Sequence, residues 1–303
     1  MIGVDWGTSS FRAYRIDSNG AVADQIETGL GILHVANGGF ATTLRGAIAP
    51  WLTAGETRVL MSGMIGSRQG WVEAPYLPCP ARAGDIAGHL VRVPFDDADV
   101  RIVPGLTATD AAGVPEVMRG EETQIIGADA VGLVCLPGSH AKWARVTQAG
   151  IAGFETFLSG EMFAALRSAT ILGRMMTGDG ADDFDADAFD RGVARSGDPS
   201  HLLHHLFGVR SLALMGELTA SASASYLSGL LIGHEVRAAL TNASPAVQTN
   251  ALTFNKEVTL LGATSLCTRY TKAISALGGT AATGPAHAAA RGLARIGGLA
   301  AWE

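Results

Sequence analysis

A strand, a turn of small residues and two further strands open this chain, and the same pattern returns near its middle. Ile2–Asp5, Phe11–Asp17 and Ala21–Thr28 are short strand-like runs separated by Gly7–Ser10 and Ser18–Gly20, which have turn compositions. Val131–Leu136, Lys142–Thr147 and Ile151–Thr156 repeat the pattern, with Pro137–Gly138–Ser139–His140 after the first run. Two such openings within 303 residues imply an internal structural duplication, and the length admits two cores of ordinary size. No low-complexity linker separates the halves, so the restart alone sets the boundary near residues 105–115. The expected lobes are 1–110, joined by a closing helix within 285–303, and 111–284.

Between the strands the apolar period changes to that of helices. Phe40, Leu44, Ile48 and Trp51 share one face of a helix that Asn37 can cap, and Arg58–Met61 returns as a buried strand. Ser62–Arg82 is crowded with glycine, proline and aromatics and is too long for an idle connection, so it is expected to bind a ligand. In the second half Gly160–Leu172, Ala186–Ala194, Leu202–Phe207 and Leu218–Leu240 read as helices. Val258–Leu261 reads as a strand running into the helix Thr264–Leu277, and Ala286–Ile296 closes the chain.

Composition excludes several classes of function. With 48% hydrophobic and 17% charged residues, the chain can offset the entropy of ordering its backbone, so it is not a disordered one. A net charge of −6 leaves no broad positive surface to release counterions from a nucleic acid, and anions must be held locally. The most apolar stretch, Tyr226–Gly233, falls well short of the roughly 20 residues that span a bilayer, and no export signal precedes the first strand. Cys79, Cys135 and Cys267 are far apart and lack metal-ligand spacing, which fits reduced thiols in a cytoplasmic protein. A homodimer is compatible with all of this.

Four elements carry the chemistry. The first is Asp5–Trp6–Gly7–Thr8–Ser9–Ser10, followed by Arg12: an acid at the end of a buried strand, a glycine, and three hydroxyls. It can present donors to phosphate oxygens while Asp5 approaches a magnesium ion, directly or through water, although an ordinary hairpin has similar residues. The second, Pro137–Gly138–Ser139–His140–Ala141–Lys142, sits at the matching point of the second half, and the two turns together could clamp one polyphosphate. The third is the acidic pair Glu121 and Glu122 after Gly120. Either could orient or deprotonate an attacking hydroxyl, or both could complement a helix dipole. Asp110 is the next candidate base. The fourth, Leu260–Ser265, runs from strand to helix through small residues that let a flat adenine or ribose lie on the backbone.

For an acidic polyol, Arg68 and Gln69 supply a planar cation and an amide, and Trp71 and Tyr76 could cover a carbon chain. Gly31 and Met64 complete the expected substrate-binding set. His201, His204 and His205 lack an acid at ligand spacing and are expected on a surface helix, not in a metal cluster. His34, His89, His234 and His287 are read as structural.

The strings MIGVDWGTSSFRAYRID, SGMIGSRQGWVEAPYLPCPA, VMRGEETQI, CLPGSHAKWARV, SGEMFAALR, SYLSGLLIGHEVRAA and VTLLGATSLCTRYTKA closely resemble the 2-dehydro-3-deoxygalactonokinase family, from the first residue to the last helix. That family lies within the superfamily of sugar kinases, heat-shock chaperone ATPases and actin. The resemblance implies an α/β protein of two RNase-H-like (actin-like ATPase) lobes with an ATP cleft between them. It implies magnesium, ATP, and transfer of the γ-phosphoryl group to the 6-hydroxyl of 2-dehydro-3-deoxy-D-galactonate in galactonate breakdown. It assigns Gly7, Thr8, Ser9 and Arg12 to the first phosphate turn, Gly138, Ser139, His140 and Lys142 to the second, Asp5 to the metal, and Glu121, with Glu122 beside it, to the catalytic acid. Gly262, Ala263 and Ser265 match the adenosine turn, although Thr264 departs from the superfamily's double glycine. The alternatives are a kinase for another small sugar acid or polyol, and an ATP-switched binding module of the actin or chaperone kind.

Overall fold

The computed structural model describes residues 1–36, 38–176, 184–242 and 257–302. In chain order the elements are β1 (Ile2–Trp6), β2 (Phe11–Ile16), β3 (Val22–Thr28), α1 (Phe40–Thr53), β4 (Arg58–Ser62), β5 (Tyr76–Pro78), α2 (Ala83–Ala87), β6 (Val91–Val93), β7 (Asp99–Ile102), β8 (Gly105–Thr109), β9 (Pro115–Met118) and α3 (Glu121–Ala128). Then follow β10 (Gly132–Leu136), β11 (Ala141–Thr147), β12 (Gly150–Phe157), α4 (Ser159–Ala169), α5 (Ala186–Arg195), α6 (Leu202–Leu214), α7 (Ala220–Asn242), β13 (Glu257–Leu260), α8 (Thr264–Ala276), β14 (Thr280–Thr283) and α9 (Ala288–Leu299). Asn37, the expected cap of α1, lies outside the described residues, and Gly39 takes the N-cap position.

The chain forms two compact units: residues 1–131 with 144–154 and 284–303, and residues 132–143 with 155–283. In the first, the sheet order is β3-β2-β1-β4-β7-β6. β1 pairs antiparallel with β2 and parallel with β4, and β4 pairs parallel with β7. In the second the order is β12-β11-β10-β13-β14, with β10, β13 and β14 parallel, the outer ends of β11 and β12 counting with the first unit. Each sheet therefore runs third, second, first, fourth strand and then a further parallel one, which is the RNase-H-like order. The duplication legible in the sequence is one of topology.

Alternation in β1 explains the layering of the first unit. Ile2, Val4 and Trp6 are fully buried on one face with Leu44 and Ile48 of α1. On the other face a side chain at Gly3 would press to 3.0 Å from Leu293 of α9, so glycine is what lets that helix lie on the strand.

The boundary expected near 105–115 is corrected by this packing, because the first unit continues to Val131 and includes α3. A side chain at Gly127 would overlap the Ala288 carbonyl oxygen, and one at Gly292 the Thr123 carbonyl oxygen. α3 and α9 thus touch backbone to backbone, a contact between segments far apart in sequence. In the second unit Gly192 and Gly229 permit the same approach of α5 and α7. Among the described residues, no helix is long and apolar enough to cross a membrane.

Candidate active site

In the first unit three chain segments converge at the C-terminal ends of the parallel strands β1 and β4, the usual position of ligands in such sheets. Asp5 pairs in register with Ser62, and Gly63 follows at φ 92°, where a side chain would come 2.8 Å from the Trp6 carbonyl oxygen. Gly120, at φ 107°, would place a side chain 3.0 Å from the Gly63 Cα. Both positions need glycine for conformation and for space. The result is that Glu121, first residue of α3, is brought into electrostatic reach of Asp5.

Asp5 is mostly buried, and burial, opposed by Arg12 and reinforced by Glu121, raises its pKa to about 6. Two carboxylates that disfavour each other's charge are a hard oxygen donor set suited to a divalent cation. Among the described residues there is no cluster of three metal-ligating side chains, but magnesium needs only one or two carboxylates when phosphates supply the rest.

The turn Asp5–Ser10 is pinned from behind. Gly7 N–H donates to the Ser10 carbonyl at 2.9 Å, and the Gly7 and Thr8 carbonyls accept from Ile32 N–H at 3.0 Å and Leu33 N–H at 3.2 Å. Any side chain at Gly31 would overlap the Thr8 carbonyl and Ser9. Gly31, expected to bind substrate, lies against this turn and buttresses it. Thr8 and Ser9 remain exposed, while Arg12 donates to Glu27 at 2.7 Å and lies 3.9 Å from Asp5.

The acidic pair divides cleanly. Glu122 is fully buried, accepting from Gly120 N–H at 2.7 Å and from the Thr123 hydroxyl at 3.0 Å. Glu121 is half-buried and accepts from Arg119 N–H at 3.0 Å. Burial first, then the charge of Glu121, pushes the Glu122 carboxyl up to about 8. Unfolded, it would lose its proton near 4.5, so between the two values the folded state holds one more proton. Its contribution to stability is complete below about pH 4.5 and is lost as pH rises through about 8. Thermal unfolding should therefore show Tm falling from pH 6 to 9 more steeply in the wild type than in Glu122→Gln, which cannot ionise. Equal slopes would remove Glu122 as the titrating group.

The remaining loop residues fall in different places. Trp71, expected to cover a carbon chain, is partly buried against the core, stacked on Phe40 at 6.4 Å and edge-on to Phe95 at 6.3 Å. Arg68 is 88% exposed and paired with Glu73 at 3.0 Å; Gln69 is exposed, and Met64 lies half-buried in a short turn after Gly63. Tyr76 is 40% exposed, with the Arg119 guanidinium 4.2 Å over its ring. Asp110 turns its carboxylate onto Ala112 and Val114 N–H in the β8–β9 hairpin, so it serves that turn.

In the second unit the two remaining elements lie side by side at the ends of β10 and β13. Leu261 N–H donates to the Cys135 carbonyl at 2.9 Å, and a side chain at Gly262 would sit 3.4 Å from the Pro137 carbonyl oxygen. Gly138 is half-buried with open space beside its Cα, and Ser139 and His140 are exposed. Behind the turn, a side chain at Gly160 would overlap the Gly138 carbonyl, and Glu161 N–H donates to the Ser139 carbonyl at 3.0 Å. The His140 ring meets the Glu161 carboxylate. Lys142 is buried, its ammonium donating to the Thr156 hydroxyl at 2.9 Å, so it braces the β11–β12 hairpin. Gly262, Ala263 and Ser265 are exposed, and α8 with β14 lines a cavity of about 320 Å³ next to them.

A sequence model of 2-keto-3-deoxy-galactonokinase matches residues 5–296. The chain belongs to this kinase family. It is 38% identical over 283 residues to the Rhizobium meliloti (strain 1021) protein named "Probable 2-dehydro-3-deoxygalactonokinase DgoK1", covering 91% of this chain and 89% of that one. It is 32% identical over 280 residues to the 2-dehydro-3-deoxygalactonokinase of Escherichia coli (strain K12), covering 91% and 90%. The crystal structure of a Sinorhizobium meliloti protein given the same kinase name superposes with a TM-score of 0.84 at 36% identity, over 98% of this chain and 97% of that one.

Two features of this kinase-family member were not legible beforehand. Arg119 is buried, and its Nε and Nη1, with the buried hydroxyls of Ser62 and Ser67, have no hydrogen-bond partner among the described residues. These orphaned groups gather around the Ser62–Arg82 loop, and the only local signal was a cation directly before Gly120. His205 is the second. It is not on a solvated face but fully buried, its ring 3.1 Å from that of His234 on α7, because α6 packs that side against α7.

Proposed function

We propose that this chain transfers the γ-phosphoryl group of ATP to the 6-hydroxyl of 2-dehydro-3-deoxygalactonate. The observation that carries the reading is the half-buried Glu121, held beside Asp5 at the open ends of β1 and β4 next to a pinned, hydroxyl-bearing turn. In this reading Thr8 and Ser9 of one turn and Gly138 and Ser139 of the other meet the phosphates of ATP with N–H and O–H donors. Asp5 would hold magnesium, which when bound neutralises phosphate charge. The adenosine meets Gly262–Ser265 and the adjoining cavity, whose Thr264, Thr268, Thr271 and Lys272 side chains are polar.

Glu121 takes the proton from the attacking hydroxyl, and Glu122, neutral at pH 7, keeps the start of α3 in place. The sugar acid is assigned to the loop, with Tyr76 along its carbon chain and its hydroxyls near the orphaned donors of Ser62, Ser67 and Arg119. Arg68 would meet the carboxylate. An exposed pair such as Arg68–Glu73 is typically worth about 1 kcal/mol or less, so exchanging Glu73 for a substrate carboxylate costs little. Arg68→Ala is expected to raise KM for the acid about tenfold, roughly 1.4 kcal/mol, with KM for ATP unchanged. A loss of nucleotide affinity alone would reverse that assignment.

The function itself is tested by a coupled ADP-release screen over hexonates and their 2-keto-3-deoxy derivatives. The highest kcat/KM is expected for 2-dehydro-3-deoxygalactonate. Faster turnover of another acid or polyol would move the substrate assignment, and ADP release independent of any acid would end the kinase reading.

A further inference from the structure

Glu235, on α7, is buried and lies outside every motif assigned to ligands. Its carboxylate accepts from Trp143 Nε1–H at 2.7 Å, from the Tyr270 hydroxyl at 2.9 Å, and from the Ser159 hydroxyl. In this arrangement all three partners donate: the indole N–H can do nothing else, and the two hydroxyls turn their O–H to the carboxylate, the Tyr270 phenol being held protonated by burial and by that nearby charge. A carboxylate accepts from all three at once in a buried place.

The donors come from the elements that carry the nucleotide turns. Trp143 is on β11, which leaves the turn Pro137–Lys142. Ser159 opens α4 and is followed by Gly160, which touches the Gly138 carbonyl, and by Glu161, whose N–H holds the Ser139 carbonyl. Tyr270 is on α8, the helix that Gly262–Ala263 leads into. We propose that Glu235 is a positioning residue for the nucleotide, an acceptor hub that sets the second phosphate turn against the adenosine turn. It acts through β11, α4 and α8 and touches no substrate. The inference rests on the assignment of these two turns to ATP.

The test is Glu235→Gln, with KM measured for each substrate well below the variant's Tm and the affinity for a non-hydrolysable ATP analogue measured by calorimetry. An amide of the same shape turns one N–H₂ group towards a hydroxyl, which must then rotate from donor to acceptor, and removes the charge, loosening one spoke of the hub. The expected result is about a tenfold loss of ATP affinity with KM for the sugar acid within about twofold. Adding Tyr270→Phe removes an opposed donor and should recover part of the loss, which a general packing defect would not do. If Glu235→Gln lowers Tm but leaves ATP affinity intact, the inference is overturned. Should that variant not fold, Ser159→Ala removes the α4 spoke alone and is expected to weaken ATP about threefold; unchanged affinity there overturns the inference equally. Gly138→Ala separates this from failure of the parent reading. If that variant binds ATP normally, the turn is not a nucleotide turn; if it does not, while Glu235→Gln and Ser159→Ala do, only the hub is wrong.

Discussion

Glu121→Gln is expected to lower kcat by about 10²–10⁴-fold, some 3–5 kcal/mol of barrier, with little change in ATP affinity. An alcohol is a poor nucleophile, and the amide keeps the shape of the side chain while losing its basicity. The neighbouring Glu122→Gln is expected to retain most activity. Glu122 already behaves as a neutral group, with its carboxyl pushed up to about 8, and glutamine can still accept from Gly120 N–H and pair with the Thr123 hydroxyl. Steady-state kinetics of the pair decide the matter. An active Glu121→Gln beside an inactive Glu122→Gln would shift the base by one residue, and two active variants would leave α3 a structural helix.

The second large effect is expected at the turn Pro137–Lys142, proposed to meet the phosphates, where two glycines separate folding from binding. Gly160→Ala would thrust a methyl into the Gly138 carbonyl and to 2.8 Å from the Ser139 Cα, so the turn must move. Alanine is otherwise the better helix residue by roughly 1 kcal/mol, and a drop in Tm there would report the clash and not propensity. KM for ATP should rise by at least about tenfold. Gly138→Ala meets nothing within 4 Å among the described residues and lies outside the positive-φ region, so the unfolding free energy should hold within roughly 0.5 kcal/mol of the wild type. If this turn meets ATP as proposed, the methyl would stand between a phosphate and the backbone, and ATP affinity should fall by about tenfold or more. Normal ATP binding by Gly138→Ala would remove this turn from the nucleotide site.

What could be read from the sequence was local chemistry, and what could not was contact between distant segments. Glycine, hydroxyls and an acid within six residues mark the turn Asp5–Ser10, and glycine, a hydroxyl and a lysine mark Pro137–Lys142, so both turns were legible, as was the start of α3 after Gly120. The extent of the first unit was not, since it depends on Gly127 and Gly292 meeting across more than half the chain. Trp71 illustrates the ambiguity of an aromatic in a glycine-rich loop, where covering a ligand and plugging a core have the same signature, and its packing against Phe40 and Phe95 could not be read from spacing. The helical spacing of His201, His204 and His205 could not report that α6 turns one ring into α7. Glu235 lies 92 residues from Trp143 in sequence, and nothing near it in the sequence marks a carboxylate with three donors.

The central claim is phosphoryl transfer to a sugar-acid hydroxyl, and phosphorus NMR of the reaction mixture tests it most directly. With ATP, magnesium and 2-dehydro-3-deoxygalactonate, the account predicts ADP and a phosphomonoester in equal amounts. The ester signal should be split by the two protons of a primary carbon, as the 6-hydroxyl requires. Inorganic phosphate in place of the ester, or ADP formed at the same rate without the acid, would contradict it.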